Sequence, residues 1–129
     1  MSEGGEGLQG AIDRSVLASL QELQDEGEPD IVVEVAELFI KHAPDKLLAI
    51  EKAAENADAK GMQIAAHSLK SSSAYIGAMR LSAMCKELEQ AGRSEALEGA
   101  KKKAETIKAE YERARNELES LINKPADAK

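Results

Sequence analysis

His67 is the residue whose type and placement in this chain could do chemistry. The segment DAKGMQIAAHSLKSSSAYI, residues 58–76, sets Met62, Ala65, Ala66, Leu69, Ser72, Ser73 and Ile76 at mixed spacings of three and four. That pattern predicts a helix with one buried stripe. At about 100° per residue the stripe centres almost opposite His67, so the imidazole is expected to face solvent. Lys60, Gln63, Lys70, Ser71, Ala74 and Ala78 fall on the same face, and Ile64 and Tyr75 flank its edge. Most of these side chains are short, which lets a partner approach the ring closely.

A histidine side chain ordinarily titrates near pH ~6.5, so such a ring is mostly neutral at neutral pH and is a nucleophile without an activating base. Gln63, four residues earlier, reaches the same side of the ring as an amide donor or acceptor. No other constellation competes. The chain has no glycine-rich phosphate loop, no serine or cysteine nucleophile sharing a face with a histidine, and no paired carboxylates in an obvious cleft. His42 lies at the edge of another stripe beside Pro44, without metal-ligand spacing to His67 or to a cysteine pair, and is read as non-functional. Cys85, beside Met84 on an apolar stripe, reads as a plain buried thiol. Lys101, Lys102 and Lys103 are bracketed by acidic residues and read as a solvated helical face.

The elements that must hold His67 in place can be read from the same periodicity. Residues 1–10 contain four glycines and little to bury, and are expected to form a flexible tail. Asp13 can cap a first helix whose face carries Val16, Leu17, Leu20 and Leu23 and which stops at Glu26-Gly27. Pro29 suits the first turn of a second helix. Its stripe of Val32, Val35, Ala36, Phe39, Ala43, Leu47, Ile50, Ala54 and Ala57 passes Pro44 in phase, so the proline should kink or split that helix rather than redirect it. Asn56 to Asp58 turns into the His67 helix and Gly77 turns out of it. Leu81, Met84, Cys85, Leu88 and Ala91 form the next stripe, closed by Gly92. Ser94 can cap a last helix with a coiled-coil-like seam of Leu97, Ala100, Ala104, Ile107, Tyr111, Ala114, Leu118 and Leu121. Pairs such as Glu98–Lys102, Lys108–Glu112 and Arg113–Glu117 would lace its outer face. The fold class is therefore all-α: an antiparallel four-helix bundle over residues 11–123, with an additional N-terminal helix packed across one end and a flexible tail at 124–129.

The run His67-Ser68-Leu69-Lys70-Ser71-Ser72-Ser73-Ala74-Tyr75-Ile76-Gly77-Ala78 resembles the signature of histidine-containing phosphotransfer (HPt) domains. There a histidine, an apolar residue two on, a lysine three on and a Gly-Ala pair ten on recur. The stretch from Val35 to Leu48 resembles the family's preceding helix, and the similarity extends over most of residues 12–122. Ser71 departs from the pattern, which usually has glycine four after the histidine. The resemblance implies a phosphorelay carrier and not an enzyme in its own right. His67 would accept a phosphoryl group from the aspartyl phosphate of one receiver domain and pass it to another in two-component signalling.

Its implied partners are the receiver domains of a hybrid histidine kinase or of a response regulator. The receiver would bring Mg²⁺ and most of the catalytic apparatus, so neither cofactor nor metal of the chain's own is expected. Lys70 would offer a cation to the phosphoryl oxygens, and Gln63 would assist at the ring. Lys60, Ile64, Ser71, Ala74, Tyr75 and Ala78 would meet the partner, the two lysines suiting its acidic pocket. Two alternatives remain: the phosphoacceptor module of a chemotaxis-type kinase, and a helical adaptor whose histidine is vestigial.

Composition agrees. With 129 residues, 43% hydrophobic and 32% charged, the chain is one globular domain without room for a kinase module. Phe39, Tyr75 and Tyr111 are its aromatics, so the core must be aliphatic and helical. Seventeen basic against twenty-four acidic residues give a net charge of −7, which repels nucleic acid. No apolar run is long enough to span a membrane, no signal pattern opens the chain, and a single cysteine fits a reducing compartment. The cytoplasm is the expected location.

Overall fold

The structure, a computed structural model, describes residues 10–27 and 30–123. Among these residues lie five helices and no strand: α1 (Arg14–Gln21), α2 (Ile31–Glu55), α3 (Ala59–Ile76), α4 (Met79–Arg93) and α5 (Ala100–Ile122). Three of them begin at an aspartate whose carboxylate accepts from the otherwise orphaned N–H groups of the first turn. Asp13 takes Ser15, Asp30 takes Val32 and Val33, and Asp58 takes Gly61. Helices α2 to α5 close a ring in which each packs against two neighbours, α5 returning to α2. Because the connections between them are short, consecutive helices run antiparallel. Ile50, Met62, Leu69, Ile76, Leu81, Leu88, Ile107 and Leu118 fill the centre and are fully buried. Each contributes about 1.5–3 kcal/mol relative to an exposed position.

Helix α1 lies over one end of this ring, against α2 and α3. Glu117 of α5 ties it down, accepting from the backbone N–H groups of Ala11 and Ile12 at 2.9 and 3.3 Å and pairing with Arg14 at 2.8 Å. The N–H of Asp13 donates to the carbonyl of Gly77 at 2.7 Å. Gly77 ends α3 with φ of 92°, and a Cβ there would stand 2.8 Å from the Asp13 carbonyl oxygen. Both the left-handed turn and the crossing of α1 therefore require glycine. The all-α bundle with an N-terminal helix across one end is the observed architecture.

Several boundaries differ from expectation. Helix α1 stops at Gln21, and Leu23 is 67% exposed, because the N–H groups of Glu22 and Leu23 close a final turn onto Ala18 and Leu20. Helix α2 starts behind the Asp30 cap; Pro29 lies outside the described residues, as do 1–9 and 124–129 of the expected tails. At its other end Ala53 is buried, while Ala57 is an exposed turn residue with φ of 52°. Ser94 ends α4 rather than capping α5, which begins behind Gly99 with φ of 79°. Gly92 does not close its stripe but lies inside α4, where it serves a close helix crossing. On α5 the seam is buried within the bundle, and Lys108 and Glu117 reach to Glu51 and Arg14 on other helices.

Helix α2 runs unbroken through Pro44. Proline lacks the N–H that would donate to the carbonyl of Ile40, and the Tyr111 hydroxyl donates to that oxygen instead, at 3.4 Å. Burial pushes the Tyr111 phenol up, which keeps the donor proton in place, and its ring packs on Phe39 with centroids 5.7 Å apart. Since this bond is long, Tyr111→Phe is expected to cost only about 0.5–1 kcal/mol, read as a lower urea midpoint at unchanged slope. An unaltered midpoint would mean that the Ile40 carbonyl is satisfied without the hydroxyl.

Candidate functional site

His67 projects from the middle of α3 with its side chain 59% exposed, as the stripe on that helix requires. Its ring is nonetheless held. Nδ1 lies 2.8 Å from Oε2 of Glu89, a carboxylate on α4 that is only 6% exposed. Lys70 places its ammonium 2.7 Å from the other oxygen, Oε1, and Arg93 places Nη2 3.2 Å from Oε2. One nearly buried carboxylate thus gathers an imidazole, an ammonium and a guanidinium. The Lys70 ammonium holds the Glu89 carboxyl below the usual carboxylate range against the opposite pull of burial, and His67 adds to the lowering.

An ionised carboxylate only accepts hydrogen bonds, so the neutral ring must carry its proton on Nδ1 and donate it. Nε2 is then left with its lone pair, on a ring whose side chain is mostly exposed. The site presents an imidazole of defined tautomer and fixed orientation.

Close packing of α3 on α4 makes this possible. A Cβ on Gly92 would sit 2.6 Å from the Ala59 carbonyl oxygen and 2.7 Å from the Gln63 nitrogen, so only glycine permits the approach. Farther along, the Ser82 hydroxyl donates to the carbonyl of Lys70 at 3.0 Å. Cys85, between these contacts, is fully buried, and burial pushes its thiol up to about 12. It is protonated and inert.

The expected site residues divide. Ile64 and Tyr75 are 60% and 55% exposed, Lys60 and Ser71 are exposed, and Ala74 is half-buried, all on α3 with His67. Gln63 is half-buried, with its backbone against Gly92, and no hydrogen bond joins it to the ring; Glu89 fills the place expected of it. Ala78 is not on the His67 face. The chain reverses at Gly77, the N–H of Ala78 donates to the Ser73 carbonyl at 2.8 Å, and the residue is fully buried. Helical extrapolation past a left-handed turn misplaced it.

Glu89 and Arg93 were not anticipated, although a signal existed. Ser82, Cys85, Glu89 and Gly92 follow at spacings of three, four and three, so Glu89 falls on a buried face of α4 and demands cationic partners. Among the described residues no cluster of histidine, cysteine and carboxylate side chains is arranged to hold a metal ion.

Comparison with known proteins agrees with this fold. The family model of the Hpt domain matches residues 34–117. The chain is 31% identical over 121 residues to histidine-containing phosphotransfer protein 4 of Arabidopsis thaliana, covering 92% of this chain and 94% of that protein. It is 33% identical over 116 residues to pseudo histidine-containing phosphotransfer protein 2 of Oryza sativa, covering 88% and 76%. The crystal structure of histidine-containing phosphotransfer protein B from Pseudomonas aeruginosa superimposes with a TM-score of 0.80 at 29% identity, over 89% of this chain and 96% of that one. The chain, with its solvent-facing histidine on the second helix of a four-helix ring, belongs to the Hpt domain family.

Proposed function

We propose that His67 is the phosphoacceptor of a phosphorelay carrier, taking the group from a receiver-domain aspartyl phosphate and passing it to a second receiver. The observation that carries this reading is the Nδ1 contact with Glu89, which leaves the Nε2 lone pair free on a largely exposed ring. A vestigial histidine would have no need of a buried carboxylate to orient it, which favours transfer over the adaptor alternative.

In an in-line displacement the lone pair of Nε2 attacks phosphorus, and the P–O bond of the acyl phosphate breaks toward the aspartate. Lys70, one turn from His67, has ammonium protons beyond the one used on Glu89 to meet phosphoryl oxygens. The receiver supplies Mg²⁺ and the remaining charge stabilisation, and the chain itself catalyses little. Among the described residues no helix is long and apolar enough to cross a membrane, and we place the relay in the cytoplasm. Incubation with labelled, phosphorylated receivers of the same cell should move label onto this protein in an acid-labile, alkali-stable form; no transfer from any of them would overturn the reading.

The docking face has its own test at Ser71, exposed and about 40° around α3 from His67. Ser71→Leu is expected to cut transfer rate and receiver affinity by about tenfold or more while leaving the fold intact, because a bulky side chain occupies space an incoming receiver needs. Rates near those of the parent would show that the receiver docks elsewhere.

A further inference from the structure

Leu38 and Leu48 stand on the outer face of α2, 55% and 50% exposed, and nothing in the phosphoacceptor site uses them. They belong to a row of exposed residues, Glu34, Leu38, Lys41, Asp45, Leu48 and Lys52, spaced by four, three, four, three and four. That is the spacing of a seam between two helices, and it lies opposite the stripe of Ala36, Phe39, Ala43, Leu47 and Ile50 that α2 buries in its own bundle. Among the described residues none of the four charges in the row forms an ion pair. Read from either end, the row gives the same order of residues with the charges inverted.

We propose that this face of α2 pairs with the α2 of a second copy of the chain, antiparallel about a two-fold axis. Centring the crossing between Lys41 and Asp45 sets Leu38 on Leu48 of the other copy, Lys41 on Asp45 and Glu34 on Lys52, and the symmetry makes each contact twice. Glu37, just off the row, falls beside Ala49, so like charges do not face each other. A parallel pairing in register would instead set every charge against its own kind. The chain carries a net charge of −7, yet the two acids and two bases of the row sum to zero, so two copies can meet here without adding like charge. Each leucine also borders a groove, Leu38 beside Phe39 and Tyr75 toward α3, and Leu48 beside Pro44 and Tyr111 toward α5. A leucine ridge of one copy thus has a groove to enter on the other. The row is about 27 Å long. One helix face of that length covers less than the roughly 800 Å² per partner of a stable complex, so the pairing is weak and reversible. Helices α2 and α4 pack on different sides of α3 and do not touch, which leaves the His67–Glu89 side of each copy open to a receiver.

Sedimentation equilibrium of the full chain in low salt, from about 10 μM to about 1 mM, should show a monomer–dimer equilibrium with a dissociation constant inside that range. Glu34→Lys and Lys52→Glu should each weaken it by about tenfold or more, since the symmetry turns two attractions into two repulsions. Mixed in equal amounts, the two variants should associate within about threefold of the parent, because every charge contact between unlike chains is again an acid on a base. Lys41→Glu and Asp45→Lys should behave alike, singly and mixed. They carry the test should a charge change near the ends of α2 disturb folding, which circular dichroism reads. A chain that stays monomeric at about 1 mM would overturn the proposal. If the same variants then slow phosphoryl transfer, the row belongs to a surface on which a receiver docks. Dimerisation that the single variants leave unchanged, or that mixing does not restore, would place the interface elsewhere and overturn the proposal equally.

Discussion

His67→Gln is expected to lower phosphoryl acceptance by about three orders of magnitude or more, the scale on which loss of a nucleophile registers, while leaving the protein folded. In the proposed reaction the nucleophile is Nε2, and the lone pair of a glutamine amide nitrogen, delocalised into its carbonyl, cannot replace it. Stability should change by no more than about 0.5 kcal/mol, for two structural reasons. The His67 side chain is mostly exposed, so little core is lost. Glu89 keeps its bonds to Lys70 and Arg93, and the glutamine amide can donate to it, so no buried charge is stranded. Transfer of labelled phosphate from a receiver, measured beside a thermal melt, decides the matter. Acceptance in the variant at a rate comparable to the parent's would place the phosphoryl group on another residue.

Gly92→Ala is expected to destabilise the bundle by forcing two of its helices apart. In an exposed helix this substitution would stabilise by up to about 1 kcal/mol through helix propensity. Here the new Cβ would meet the Ala59 carbonyl oxygen at 2.6 Å, the Gln63 nitrogen at 2.7 Å and the Gln63 Cα at 3.1 Å. All are backbone atoms of α3, which cannot rotate aside, so α3 and α4 must part. Overpacking of this kind costs about 1–3 kcal/mol and occasionally more, which outweighs the propensity gain. A fall in the thermal midpoint on the order of 3–10 °C follows for a domain of this size. Parting the helices also lengthens the His67–Glu89 contact, since the two residues stand on the helices that separate, and transfer should slow with it. A midpoint equal to or above the parent's would show that the crossing yields more easily than its backbone contacts imply.

Periodicity within one helix was sufficient for much of this molecule. The stripe from Met62 to Ile76 placed His67 toward solvent, and the seam from Ala100 to Leu118 is buried as its spacing requires. Both hold because a face of a helix is fixed by the 100° step alone, whatever the helix packs against. The same rule failed where the chain leaves the helix: at Leu23, where α1 had already closed, and at Ala78, beyond the left-handed turn of Gly77.

The partners of the ring belong to tertiary structure. Gln63 stood in the right place on α3, yet the residue that meets Nδ1 is Glu89, twenty-two positions along the chain on another helix. Which side chain of α4 arrives opposite His67 depends on the register of α4 against α3. That register follows from the turn at Gly77 and from how closely Gly92 lets the backbones approach, contacts between helices that no pattern along one helix contains. The residue types and spacing of α3 therefore determined that an imidazole faces water, and the packing of α4 decided its tautomer, its orientation and the charge behind it.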